Sequence, residues 1–295
     1  MSPSATSVTP AMLAQVVVSG LLAGALYAVV ALGLALIFGV MRVINIAHGT
    51  LLMLGAYVTF WWFHLTGLNP YLSLLASMPL LFLLGLGLQR FLVARVVGAP
   101  ELSSLLLTFG ISIALVNATQ LAFTSDLRSV EYLTGSWLLG PLAVSKSRAI
   151  AGVVALLLTG LAYGGLRTTR LGKAIRATSE RREVAMVCGV DVAKIDLVTF
   201  GVASALAAAG GTLVAVMVAI QPEMGQGYTV KSFLVIVLGG AGNYPGALLG
   251  GLLLGLVEQL AALFLTAQVS EAVAYVLLVV VLLVRPQGLL GGRST

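Results

Sequence analysis

The feature that most constrains the fold is a series of apolar runs about as long as a membrane is thick. A helix of about 20 apolar residues spans roughly 30 Å, the thickness of the hydrocarbon core of a bilayer. We therefore predict an all-α polytopic membrane protein with eight full transmembrane helices and one short or broken helix, residues 229–240. The eight predicted spans are residues 12–40, 44–64, 71–89, 103–123, 149–166, 197–220, 246–265 and 269–284.

The composition supports this class. A chain of 295 residues with 59% hydrophobic and 9% charged residues cannot be a water-soluble domain. Its net charge of +6 does not indicate nucleic-acid binding, because the basic residues lie between the apolar runs. Glycines four residues apart, as at Gly20 and Gly24 or at Gly160 and Gly164, predict close helix contacts. No basic region precedes the first run, so we expect no cleaved secretory signal.

The distribution of positive charge predicts the topology. Residues 167–196, here called the basic segment, carry 7 of the 16 Lys and Arg residues, which places this segment in the cytoplasm. Counting residues 229–240 as a ninth crossing puts the amino terminus outside, the carboxyl terminus inside and 12 of the 16 cations inside. Lys231 is then outside and Arg293 inside. Treating residues 229–240 as a surface loop leaves only 10 of 16 inside, so we favour the crossing.

The two halves of the chain resemble each other in layout. Each has a long apolar run, then a polar break at residues 45–49 or 221–227, and then a further helix. With the basic segment between them, corresponding elements run in opposite directions. This layout predicts inverted repeats like those of transporters.

Three polar residues in apolar surroundings are candidates for a solute route. Asn45 is placed to cap a following helix, and His48 lies in the first turn of that helix, where unpaired N–H groups attract an anion such as a carboxylate. Alternatively, both bond to neighbouring helices and touch no solute. Glu258 is the one acid predicted well inside a span, so it must be protonated, paired or facing water. We predict that it lines a polar route; the alternative is that its helix turns it toward the outer headgroups.

Within the basic segment, residues 179–189 read as a short helix that begins after a Ser179 cap. Gly189 is placed to end it in the left-handed conformation. Val184, Val187 and Cys188 give it one narrow apolar face. A helix of about nine residues is unstable alone and requires a partner groove. A solvated cytoplasmic loop would carry the same residues.

Several kinds of chemistry are absent from the sequence. There is no phosphate-binding loop, no zinc-binding helix motif and no hydrolase nucleophile elbow. All three aspartates, Asp126, Asp191 and Asp196, are predicted in loops. We therefore expect no catalytic residue, no metal and no cofactor. The single cysteine, Cys188, excludes an internal disulfide.

Four segments in order resemble the LivH-type permeases, one of the two membrane subunits of bacterial ABC importers for branched-chain amino acids and related solutes. Residues 38–57 read FGVMRVINIAHGTLLMLGAY, residues 171–177 LGKAIRA, residues 237–246 VLGGAGNYPG and residues 285–288 RPQG. The resemblance runs from about residue 15 to residue 291. Residues 183–189 are similar to the Glu-Ala-Ala-x-x-x-Gly coupling motif of importer permeases, with Val184 in place of the first Ala and no downstream Pro.

The resemblance implies a single permease domain over residues 1–295, with the basic segment as its coupling loop. It implies a multi-pass protein of the bacterial inner membrane, heterodimeric with a second permease subunit and surrounded by lipid. Two cytosolic ATPases and an extracytoplasmic solute-binding protein would be the other partners, with no nucleic acid. We expect ATP-driven import of branched-chain or other neutral amino acids. The alternatives are a urea or short-amide importer, whose permeases share the Asn-x-Ala-His-Gly pattern, and an ion-coupled secondary carrier.

Two sets of site residues follow. The predicted ATPase-coupling residues are Glu183, Val184, Ala185, Val187 and Gly189. The predicted substrate-route residues are Asn45, His48, Gly49, Gly239, Gly240, Asn243 and Glu258.

Overall fold

The computed structural model describes residues 9–140, 142–240, 242–285 and 288. This part of the chain forms eleven α-helices and one β-hairpin. The helices are α1 (Pro10–Met41), α2 (His48–Thr66), α3 (Leu74–Phe91), α4 (Glu101–Phe123), α5 (Lys146–Thr168), α6 (Arg170–Glu180), α7 (Arg182–Val187), α8 (Val192–Ala215), α9 (Gly225–Gly239), α10 (Tyr244–Phe264) and α11 (Ala267–Val284). The hairpin strands are β1 (Ser136–Leu139) and β2 (Leu142–Ser145), which are antiparallel.

The predicted class, an all-α polytopic membrane protein, is confirmed apart from this short hairpin. Six helical segments are long and apolar enough to cross a membrane: Pro10–Met41, Pro70–Arg95, Glu101–Phe123, Lys146–Thr168, Val192–Ala215 and Tyr244–Phe264. Neither α2 nor α11 is in this group, so these criteria do not establish eight full spans. The described residues do not include Ala241, residues 286–287 or the two chain termini, the second of which contains Arg293.

Two helices form the centre of the molecule. An apolar stretch of 18 residues is 72% buried in α1 and 83% buried in α8. The corresponding stretches of the other four long segments are only 17% to 28% buried. The most extensive contacts of α1 are with α10, and those of α8 are with α3. The two central helices also contact each other, and in addition α1 contacts α9 and α8 contacts α2. The remaining helices surround this pair.

Glycine allows the closest of these contacts. A side chain at Gly24 would overlap the backbone of Leu252 on α10, and one at Gly255 would overlap the backbone of α1. Close backbone approach of this kind gives helices in lipid the packing energy that water would otherwise supply. At Gly160 and Gly164, in contrast, an added side chain would meet no described atom within 4 Å. The glycine spacing therefore identified a real interface at α1 and α10 but not on α5.

The basic segment differs from its prediction as a loop. It contains α6, α7 and the first turn of α8, and α6 begins only two residues after α5 ends. Thr169 caps α6 by accepting a hydrogen bond from the Gly172 amide at 3.0 Å. A side chain at Gly172 would overlap the backbone of α5, so α6 folds back closely on that helix. The segment is thus a structured helical unit.

Candidate functional site

The short helix of the basic segment, α7, ends as predicted but begins later. Gly189 has a φ of +81°, and the Val190 amide donates to the Ala185 carbonyl at 3.0 Å, which closes the end of the helix. The predicted Ser179 cap is wrong, because Ser179 lies inside α6. The extended residue Arg181 separates α6 from α7, which leaves α7 with six residues.

The predicted coupling residues divide between two sides of α7. Glu183, Val184 and Val187 are exposed, with Val187 88% exposed. Ala185 is buried and attaches the helix to the rest of the chain. Gly189 is exposed, and no described atom lies within 4 Å of the position that its Cβ would occupy. An exposed, short helix with an acidic first turn is geometrically able to insert into a groove on another protein.

The polar break between α1 and α2 lies where the sequence predicted it, but its capping is different. The chain leaves α1 at Arg42 with a φ of +53° and enters α2 after Ala47, which makes no side-chain cap. Asn45 is therefore not the predicted cap. Two side chains of α4 hold the break instead: Ser104 accepts from the Ile44 amide at 3.2 Å, and Thr108 accepts from the Ile46 amide at 3.1 Å.

The starts of α2 and α9 meet at two glycines, Gly49 and Gly225, which we call the helix crossing. A side chain at either position would overlap the backbone carbonyl of the other. The Gly49 amide donates to the Thr229 hydroxyl at 2.9 Å. Gly49 was a predicted route residue, whereas Gly225 and Thr229 were missed. The available signal was that Gly49 and Gly225 lie within the polar breaks of the two halves, residues 45–49 and 221–227.

Asn45 and His48 are fully buried beside this crossing. His48 Nε2 lies 2.9 Å from the Val30 carbonyl oxygen, which ties the start of α2 to the middle of α1. Within the described residues, both amide atoms of Asn45 and Nδ1 of His48 have no hydrogen-bond partner. Such unpaired buried groups are costly, so they are suited to binding a polar solute group in a conformation that reaches them.

The other predicted route residues near the end of α9 form a turn. Gly239 ends α9 and is in backbone contact with Gly246, and Gly240 has a φ of +97°. Asn243 caps α10 by accepting from the Gly246 amide at 3.0 Å. Gly242, in this turn, lies against Gly39 in the last turn of α1. The turn therefore lies next to the end of α1, on the side of the molecule where α6 lies.

Glu258 is paired rather than free. Its Oε1 lies 2.7 Å from Lys231 Nζ on α9, and its Oε2 accepts a hydrogen bond from the Tyr27 hydroxyl at 2.7 Å. Glu271 on α11 lies 3.7 Å from the same ammonium. These four side chains form the charged cluster. The prediction counted Lys231 among the cations on the outer side of the membrane, but in the structure its side chain is only 16% exposed. A lone cation and a lone acid in two neighbouring apolar runs were the signal for this pair.

Alanine at the helix crossing tests how tightly it is packed. We expect Gly49→Ala to lower the free energy of unfolding by about 1–3 kcal/mol, because its methyl group overlaps the Gly225 carbonyl. Gly110→Ala is the matched control, since no described atom lies near that position on α4. It should be neutral or stabilise by up to about 1 kcal/mol. Thermal unfolding of the purified proteins in detergent measures both, and equal stability of the two variants would contradict the close contact.

Comparison with known proteins matches most of the chain to one family. The family model described as "Branched-chain amino acid transport system / permease component" matches residues 16–282. The permease LivH of the high-affinity branched-chain amino acid transport system of Salmonella typhimurium is 30% identical over 292 residues, covering 94% of this chain and 95% of LivH. BraD of Pseudomonas aeruginosa, with the same description, is 33% identical over 297 residues, covering 94% of this chain and 95% of BraD.

Two more distant relatives extend the comparison. A protein of Methanocaldococcus jannaschii named as a probable branched-chain amino acid permease is 29% identical, covering 90% of this chain and 89% of the relative. The ribose import permease RbsC of Escherichia coli is 32% identical over 126 residues, covering 40% of this chain. No solved structure matches the chain.

Proposed function

This chain belongs to the family of permease components of branched-chain amino acid transport systems, and on that premise we propose that it carries branched-chain or other neutral amino acids through an ATP-driven importer. It is a multi-pass inner-membrane transport subunit of an importer and not an enzyme. The observation that carries the proposal is α7, an exposed helix that presents Glu183, Val184 and Val187 and ends at left-handed Gly189.

In the proposed assembly, two cytosolic ATPases supply the energy. The coupling loop, residues 167–196 of the single permease domain, contacts one of them through α7, and a second, similar permease subunit completes a heterodimer. An extracytoplasmic binding protein delivers the solute. When ATP closes the two ATPases, α7 moves with them and the solute route opens to the outside.

The polar route residues have a place in this scheme. Asn45 and His48 lie buried where α2 begins, and the starts of α2 and α9 meet at the helix crossing. The first N–H groups of a helix have no partner within that helix, which makes a helix start suited to an anionic group. Transporters built from broken helices bind solutes at such points. We propose that opening at the crossing brings the solute to Asn45, His48 and Gly49, with the turn at Gly239, Gly240 and Asn243 on the cytosolic side.

The helix pairing supports the inverted repeats. The first helix of each half packs on the third of the other, α1 on α10 and α8 on α3. The second helices, α2 and α9, meet each other at their starts. We propose that α1–α4 and α8–α11 are related in this way, and that all eight of these helices together with α5 cross the membrane, with α9 as the short one.

Amino acids are favoured as substrates over urea and short amides. The relatives that cover nearly the whole chain are named for branched-chain amino acids. An ion-coupled carrier would require an intramembrane carboxylate free to bind its ion. The carboxylate of Glu258, which the sequence predicts well inside a span, is already paired with Lys231.

Reconstitution tests the proposal. Vesicles containing this chain, its partner permease, the ATPases and the binding protein should accumulate radiolabelled leucine only when ATP is supplied to the ATPase side. Excess valine should compete, whereas urea and acetamide should not. Leucine uptake into vesicles that contain this chain alone, driven by an ion gradient, would support the carrier instead.

Labelling of Cys188 tests the orientation with the amino terminus outside. Cys188 is the single cysteine of the chain and is exposed at the end of α7. In cells that express the chain without ATPases, a membrane-impermeant maleimide should leave it unlabelled, and inverted vesicles should label it. A Cys188→Ser, Thr134→Cys variant should show the reverse, because Thr134 is exposed between α4 and α5, a connection that the predicted topology places outside. Labelling of Cys188 in intact cells would reverse the topology.

A further inference from the structure

The last carbonyl groups of α1 receive hydrogen bonds from the basic segment. Carbonyls in the final turn of a helix have no partner within that helix. The Ser179 hydroxyl of α6 donates to the Gly39 carbonyl at 2.9 Å. The Arg182 guanidinium of α7 contacts the next carbonyl, that of Val40, with Nη1 at 3.4 Å. The junction of α6 and α7 therefore holds the end of α1.

The same guanidinium also holds the start of α8. Arg182 Nη1 donates to Asp196 Oδ1 at 3.0 Å, and Nη2 donates to Oδ2, so the pair is bidentate. The side chain of Asp196 is only 6% exposed. The sequence placed Asp196 in a loop, which is wrong, since it lies within α8. A planar guanidinium fork fixes both distance and orientation, which an ammonium group cannot do.

These contacts place one side chain between an exposed helix and the two central helices. The chain passes from the end of α1 through residues 42–47 directly to the helix crossing. The other central helix, α8, packs on α2 and α3. Arg182 also lines two cavities, of about 660 Å³ and about 540 Å³, so α7 has space in which to shift.

We infer that Arg182 is a positioning residue that passes a displacement of α7 to α1 and α8 together, through the Val40 carbonyl and the Asp196 carboxylate. This inference rests on the proposed function. An ATPase that displaces α7 then displaces both central helices as one unit, and α1 conveys the movement to the start of α2. Without this connection, α7 would move while the central helices stay in place, so ATP hydrolysis would continue without uptake.

The test is a double variant, Arg182→Gln with Asp196→Asn, in the complete reconstituted importer. Neutralising both partners avoids leaving a buried charge without its counterion, so the complex should assemble. ATP hydrolysis should stay within about twofold of the wild type, while uptake per ATP hydrolysed falls about tenfold or more. Arg182→Lys keeps the charge but not the guanidinium fork, so its uptake per ATP hydrolysed should lie between those of the wild type and the double variant.

A second ion pair at the start of α8 provides the matched control. Lys194 and Asp191 lie 2.8 Å apart with side chains 79% and 49% exposed. Their hydrogen bond keeps the pKa of Asp191 below its usual range, but neither partner contacts α1 or α7 through any described bond. Lys194→Gln with Asp191→Asn should leave uptake per ATP unchanged, since exposed pairs contribute little.

Three results would overturn the inference. The first is a normal ratio of uptake to ATP hydrolysis in the Arg182→Gln, Asp196→Asn variant. The second is a proportional fall of both activities, which indicates a merely structural pair. The third is failure of that variant to assemble, which would likewise indicate a merely structural pair. Wild-type uptake that does not depend on ATP is a separate outcome, because it would remove the proposed function itself.

Discussion

A valine at Gly189 is expected to abolish ATP-driven uptake while the chain stays in the membrane. Gly189 has a φ of +81° at the end of α7, and a β-branched residue in this conformation costs on the order of 1–2 kcal/mol. A helix of six residues has little stability of its own, so the strain is relieved by unwinding α7. The exposed residues Glu183 and Val187 then lose the arrangement that docks with the ATPase. Uptake by reconstituted vesicles and the amount of chain in the membrane measure the two effects.

Two variants separate this effect from general damage. Gly189→Asn should retain most of the uptake, because asparagine tolerates the left-handed conformation. Gly67→Val imposes the same strain at the end of α2, where φ is +65° and no described atom lies within 4 Å of the added Cβ. It should transport nearly as well as the wild type. Normal uptake by Gly189→Val would refute the coupling assignment, and an equal loss in Gly67→Val would show that the effect is not specific to α7.

The long helices could be predicted from hydropathy because the membrane leaves the backbone few alternatives. Buried peptide groups without water must bond within the segment, so an apolar run of this length becomes a helix. Residues 103–123 were predicted as a span, for example, and α4 covers Glu101–Phe123. Gly189 was likewise predictable, because left-handed backbone strongly favours glycine. Both inferences depend on the local chain alone.

Local patterns were less informative where tertiary contacts could satisfy the same groups. Asn45 matches a capping residue, yet Ser104 and Thr108 of α4 bond the amides around it, and the side-chain amide of Asn45 has no partner among the described residues. Ser179 also matches a cap, but its hydroxyl bonds the Gly39 carbonyl at the end of α1. Each outcome depends on which helix lies next to the residue, and hydropathy contains no such information.

The buried ion pairs were missed for a related reason. Positive charges were assigned by the side of the membrane on which their loops lie, a rule that holds for exposed residues. Lys231 instead contacts Glu258, 27 residues away, and Arg182 contacts Asp196 across the turn between α7 and α8. Partner choice follows from helix packing, so these residues become recognisable only when the three-dimensional arrangement is known.

Methionine at Lys231 is expected to have the largest effect on stability, a loss of about 3–5 kcal/mol. The ammonium of Lys231 lies 2.7 Å from the Glu258 carboxylate, whose side chain is only 15% exposed. Removing the cation leaves this carboxylate buried, with the Tyr27 hydroxyl as its remaining hydrogen-bond donor. Thermal unfolding of the purified chain in detergent measures the loss. Lys231→Met with Glu258→Gln should recover most of the stability, because the double variant contains no uncompensated charge.

Glu271→Gln is the matched control, because Glu271 approaches the same ammonium only to 3.7 Å and is 44% exposed. It should cost less than about 1 kcal/mol. Wild-type stability of Lys231→Met would mean that the pair does not stabilise the fold. The double variant Lys231→Met with Glu258→Gln then distinguishes the two roles of the acid, since it removes both charges and leaves neither of them unpaired. If the unfolding temperature of that variant falls in proportion to its loss of uptake, Glu258 is an anchor between α9 and α10. If uptake fails while stability is retained, Glu258 lines the solute route, as the sequence predicted.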